Sequence, residues 1–146
     1  MVKAIVFGFL AGVMAVVVFH QGAAFLLYRF GGNSSFVLDL VGLTQAPFNL
    51  APRAPFGVPT VVSQAFWGGV WGVVLAALLV LTRLPALLSG LVFGALALTF
   101  VSVTVVAHLK GLVVWNGEIP WRGLLYNGAW GWGTALFLLQ PLDLQA

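Results

Sequence analysis

Ala4-Ile5-Val6-Phe7-Gly8-Phe9-Leu10-Ala11-Gly12-Val13-Met14-Ala15-Val16-Val17-Val18-Phe19-His20-Gln21-Gly22-Ala23-Ala24-Phe25-Leu26-Leu27 runs for 24 residues without a charge. A hydrocarbon core of about 30 Å is crossed by roughly 20 helical residues rising ~1.5 Å each. The stretch therefore reads as a membrane-spanning helix, with Lys3 before it and Tyr28-Arg29 after it at the headgroups. Its start has the outline of a secretory signal: Lys3, an apolar run, then Gly22-Ala23-Ala24. The run is too long for one and continues through Phe25-Leu26-Leu27, so it is expected to persist as a helix.

Three further stretches have the same character. They cover 60–81, closed by Thr82-Arg83-Leu84-Pro85; 85–108, opened by Pro85, which suits a first helical turn; and 121–139, ended by Gln140-Pro141. None carries a charge well inside it unless the third continues past Lys110 to Trp115. Of the 146 residues 62% are hydrophobic and 6% charged, against about 25% charged in soluble domains. So few charges cannot cover a water-facing surface. The expected fold is all-α: one polytopic membrane domain, 1–146, built as a bundle of four transmembrane helices with the lipid bilayer as solvent.

The connections are unequal. Spans two and three are joined by a tight turn and form an antiparallel hairpin. The first loop, 28–59, holds four of the seven prolines (Pro47, Pro52, Pro55, Pro59). Its early part, Ser34-Ser35-Phe36-Val37-Leu38-Asp39-Leu40-Val41, is expected to be a short serine-capped helix in the interface. Its later part, 46–59, alternates proline with aliphatic and aromatic residues. Proline neither continues a helix nor donates in a sheet, so this part is expected to be an irregular strap over the helix ends.

The second and fourth spans begin alike. Gln64-Ala65-Phe66-Trp67-Gly68 aligns without gaps on Asn127-Gly128-Ala129-Trp130-Gly131, and a second Trp-Gly follows in each (Trp71-Gly72, Trp132-Gly133). Gly8-xxx-Gly12 likewise matches Gly90-xxx-Gly94, and each of those helices has a histidine towards its far end, His20 and His108. The expected organisation is a parallel two-helix repeat, with halves 1–82 and 85–141 about an axis along the membrane normal.

Lipid tails are as apolar as leucine, so spans associate through close backbone packing at small residues. The expected packing positions are Gly8, Gly12, Gly68, Gly72, Gly90, Gly94, Ala129 and Gly133; the same faces would also serve a homo-oligomer. Tyr28, Trp67, Trp115, Trp121 and Trp130 are expected to be interfacial, with Trp71 and Trp132 deeper.

The polar residues fall in one leaflet, beside the long loops: His20, Gln21, Ser63, Gln64, His108 and Asn127. Polar groups in hydrocarbon require partners. One reading is that His20, Gln21, Gln64, His108 and Asn127 hydrogen-bond one another and the loop. The other is a pocket for a small ligand or cofactor, in its sharpest form haem b held by His20 and His108. The haem reading requires the two histidines at one depth, which holds only if span three runs to Trp115.

Several classes are disfavoured. Cysteine is absent, which removes disulfides, thiolate metal sites and cysteine nucleophiles, and no metal site is expected. The six Lys/Arg are scattered, which is not a nucleic-acid pattern. No HExxH, Gly-x-Ser-x-Gly, paired carboxylates or phosphate loop is present, so no catalytic residue is expected. A transporter or channel has the weaker footing, because Asp39, Glu118 and Asp143 all sit in loops or the tail. Orientation is undecided: Arg29, Arg53, Lys110 and Arg122 outnumber Lys3 and Arg83, whereas Lys3 before the first span favours an internal N-terminus.

Pro55-Phe56-Gly57-Val58-Pro59 leading into Ala65-Phe66-Trp67-Gly68-Gly69-Val70-Trp71-Gly72 resembles small four-helix inner-membrane proteins of proteobacteria, a group known mainly as uncharacterised sequences. The resemblance implies a bacterial inner membrane and no activity. The expected role is a non-enzymatic structural or accessory component of a membrane complex.

Overall fold

The computed structural model describes residues 2–42, 44–53 and 56–146. Most of them are helical. Four long helices, α1 (Val2–Gly31), α3 (Thr60–Thr82), α4 (Ala86–Leu109) and α5 (Trp121–Leu138), are joined by a short helix α2 (Ser35–Val41), a two-strand hairpin β1 (Pro52–Arg53) and β2 (Val58–Pro59), and loops. Three of the long helices, α1, α3 and α4, are long and apolar enough to cross a membrane. The 18-residue α5 is not among them; it carries Arg122, Tyr126, Asn127 and four glycines.

Two seams of bare backbone hold the helices. In the first, α1 lies on α3: a Cβ on Gly8 would sit 2.8 Å from the Gly72 carbonyl oxygen and 2.9 Å from the Ala76 Cβ, and one on Gly12 would overlap the Gly68 carbonyl. In the second, α4 lies on α5: Gly90 meets the Gly131 carbonyl and the Ala135 Cβ, and Gly94 meets the Asn127 carbonyl. Gly131 and Ala135, with the backbone at Asn127, thus line the seam on α5. Ala129 is half-buried, and Gly133 faces α1 instead, where the Phe19 ring occupies the space its side chain would need.

Gly133 also decides how the two pairs meet. Phe19 sits edge-on to Trp132 and Phe137, at 5.6 and 5.7 Å, and draws α1 along α5. The opposite seam, between α3 and α4, stays comparatively open. Trp71 reaches Phe93 at 6.2 Å, but Val74, one turn on, is 44% exposed. Near the tight turn Ala4, Leu75, Ala76, Leu79, Ala86, Ala135 and Leu138 form a core. The tail closes it: Leu142 and Leu144 pack there, and the Gln145 carbonyl accepts from the Ala86 N–H, one of the orphan donors at the start of α4.

The loops match expectation in part. Ser34 caps α2, its Oγ accepting from the Val37 N–H at 3.4 Å. The proline stretch is not a wholly irregular strap. Pro52 pairs with Pro59 and Arg53 with Val58 in an antiparallel hairpin. The flanking residues supply the donors that proline lacks: Thr60 and Val61 donate their N–H groups to the Ala51 and Asn49 carbonyls. Pro55 lies outside the described residues. After α4 the chain turns at Gly111 (φ +64°) and runs back, so that the Trp115 N–H donates to the Val103 carbonyl. Span three ends at Leu109, then, and does not continue to Trp115.

Candidate functional site

Both π turns of α1 lie in its second half, at Val16–His20 and Leu27–Gly31. A π turn re-aims the residues after it and often marks a functional position. Here the first one ends at His20 and presents Gln21 to the interior, where it is 3% exposed. The Gln21 amide is fully used. Its Nε2 donates to Gln64 Oε1 on α3 at 2.9 Å and lies 3.4 Å from His20 Nδ1, and its Oε1 accepts the Phe48 N–H of the loop at 2.6 Å. One side chain therefore joins α1, α3 and the proline loop.

Losing that amide strands two partners in an apolar setting, at about 1–3 kcal/mol per unsatisfied group. Gln21→Leu is accordingly expected to lower the midpoint of thermal unfolding in detergent. Gln21→Glu is expected to lie between, since it retains the acceptor. An unchanged midpoint for Gln21→Leu would show that the hub does not hold the loop.

The other expected polar residues divide. His20 packs on Tyr126 of α5, ring centroids 5.2 Å apart. Among the described residues the buried Tyr126 hydroxyl has no hydrogen-bond partner, and nothing in the sequence pattern singles this residue out. Asn127 makes a separate pair, its Nδ2 donating to Thr99 Oγ1 of α4 at 3.0 Å. His108 joins neither group. It is exposed near the end of α4, in a shallow depression with Thr104, Val105, Leu109 and Val114. α4 ends at Leu109, and among the described residues His20 and His108 share neither a partner nor a cavity. Among the described residues no group of three His, Cys, Asp or Glu side chains is placed to hold a metal.

Of the aromatics, Tyr28, Trp67, Trp115 and Trp121 are exposed, whereas Trp130 is 2% exposed. Its indole N–H donates to the Gly12 carbonyl at 3.0 Å, and its Nε1 lies 3.1 Å from where a Gly68 side chain would begin. The glycines that let α1 and α3 touch also make the space that an aromatic from α5 fills, and the satisfied N–H removes the usual reason for tryptophan to stay at the surface.

Beyond the helices, desolvation and then the charge of Arg53 lower the Lys110 pKa from its ordinary value, so the β1–β2 hairpin lies within electrostatic reach of the end of α4. Among the described residues most interior donors and acceptors are committed to each other, the Tyr126 hydroxyl excepted, and no carboxylate is buried. No family model, curated protein or solved structure matches this chain.

Proposed function

We propose that this chain is a four-span, non-enzymatic membrane protein that serves as a structural or accessory component of a larger assembly in a bacterial inner membrane. The observation that carries the reading is how the polar side chains are used. Gln21, Gln64, Asn127, Thr99 and Trp130 are bonded to one another or to backbone across helix contacts, which is what a packing scaffold needs and a reaction centre does not. The bacterial inner membrane rests on the sequence resemblance alone.

The fourth crossing is supported by the position of α5. Its polar and small residues face α1 and α4, with Gly128, Trp130, Gly131, Gly133, Thr134 and Ala135 buried, so low hydropathy there does not expose polar groups to lipid. The duplication is supported by the contacts. Gly8 on Gly72 and Ala76 corresponds to Gly90 on Gly131 and Ala135, and Gly12 on Gly68 corresponds to Gly94 on Asn127. This register superposes Trp71-Gly72 on Trp130-Gly131, one turn away from the alignment of Gln64 with Asn127. The halves differ where Gly133 takes the place equivalent to Val74, which closes the α1–α5 seam and leaves the α3–α4 seam open for a partner helix.

The test is purification from native membranes at native abundance in mild detergent. A fixed-stoichiometry complex, lost in Val74→Trp without loss of thermal stability, is the expected result. A chain that elutes alone with lipid, under conditions that preserve other membrane complexes, would overturn the assembly role. A second reading, a small-ligand binder, is favoured by the unpartnered Tyr126 hydroxyl beside His20. Denaturing mass spectrometry of the same preparation separates the two, because a ligand would be released in equimolar amount.

A further inference from the structure

On the long-loop side a cleft of about 310 Å³ opens between α2, α4 and the first turn of α5. Leu40 and Val41 form one wall, Thr99, Ser102 and Val103 another, and Trp121-Arg122-Gly123 the end. Its hydroxyls are unusual for this molecule. Thr82, Thr104 and Thr134 donate to the carbonyl four residues back, the ordinary resolution for hydroxyls in apolar helices. Thr99, 2% exposed, accepts from Asn127 instead, which leaves its proton for another acceptor. Ser102 lies three residues on, along the same face, and its hydroxyl makes no hydrogen bond among the described residues; neither does the Trp121 indole N–H. A Cβ on Gly123 would stand 2.9 Å from Thr99 Cγ2, so the cleft depends on its absence.

The polar lining is thus a guanidinium and three neutral donors, with no carboxylate among the lining residues. Such a set suits an anion with several acceptor oxygens. Ser102 stands about two turns before the end of α4 and Arg122 in the first turn of α5, both on the side of the long loops. The remaining walls are aliphatic. We propose that this cleft binds a phosphate ester at the interface, supplied by a membrane phospholipid, with Arg122 on one phosphate oxygen, the Ser102 and Thr99 hydroxyls on others, and the acyl chains along the exposed surface of α4 beside Phe100 and Leu96. Arg122 also has an interaction within the chain, and the five N–H donors of a guanidinium can serve more than one acceptor. The site is independent of any role in a complex.

The experiment uses the full chain, delipidated in detergent and supplied with phosphatidylglycerol, with diacylglycerol, or with inorganic phosphate alone. Native mass spectrometry reads retained lipid, and thermal unfolding reads stabilisation. The expected result is one phosphatidylglycerol retained per chain, with retention reduced about tenfold in Ser102→Leu and in Arg122→Gln, as for loss of one charge-assisted hydrogen bond. Arg83→Gln, on the opposite side, should retain as the wild type does. Ser102 has no internal hydrogen bond to lose, so Ser102→Leu remains informative if Arg122→Gln misfolds. Equal retention of diacylglycerol, or undiminished retention in Ser102→Leu, would overturn the site. Equal stabilisation by inorganic phosphate would overturn the lipid as its source.

Discussion

Gly12→Val and Gly94→Val are each expected to abolish the compact monomer in detergent, while Gly22→Val on the same α1 is tolerated. A side chain on Gly12 would begin inside the Gly68 carbonyl and 3.0 Å from the Gly72 Cα; one on Gly94 would begin inside the Asn127 carbonyl and 3.1 Å from the Gly131 Cα. The obstacle is backbone in both cases and cannot rotate away. The helices must separate, and along the whole seam they lose the close contact that replaces hydrophobic association in lipid. Overpacking of a well-filled core costs about 1–3 kcal/mol when side chains can yield; with a rigid backbone opposite, the loss should exceed that range. Gly22 has nothing within 4 Å of the added atom. Size-exclusion profiles and unfolding midpoints check the result. Comparable losses at Gly12 and Gly94 support equivalent halves. A Gly12 variant no worse than the Gly22 variant would show that the α1–α3 seam is not as described.

Trp130→Ala is the second large effect, expected at about 3–5 kcal/mol for a buried aromatic. The side chain fills space at the α1–α3 glycine seam and forms a core cluster with Ala15 and Val16, against which Phe19, Trp71 and Phe93 pack. Its removal leaves a cavity where both helix pairs converge and takes the indole donor away from the Gly12 carbonyl. Trp130→Phe keeps most of the volume and loses only the N–H donation, so about 1 kcal/mol is expected. Denaturant or thermal titration of the two variants separates packing from hydrogen bonding. Equal losses would mean that the bond to Gly12, and not the filled space, is what matters.

Gln21 and Trp130 show where sequence reading reached and where it stopped. That Gln21 and Gln64 need partners in an apolar leaflet follows from the cost of an unsatisfied amide, and they are partners. Which atom meets which depends on the π turn at Val16–His20, which no residue pattern announces. His20 and His108 occupy similar sequence positions, yet one packs on Tyr126 and the other is exposed, because α4 stops at Leu109 and the chain folds back. The hydroxyl cleft had no signature at all. Arg122 stands well apart from Thr99 and Ser102 in the sequence, and all three are individually ordinary.

By itself the sequence determined the solvent and the elements: long uncharged runs must be helical in lipid, the serine cap must start α2, and small residues four apart must face another helix. Tertiary structure alone decided the pairings. Gly131 and Ala135, not Ala129 and Gly133, meet α4, and the space left at Gly133 is filled by Phe19. The reason is that spacing along a helix says which residues share a face but not which neighbour that face will meet. Where the α1–α3 and α4–α5 seams are both built from glycine and alanine, the fit of the few large side chains, Trp130 and Phe19 first among them, selects one arrangement.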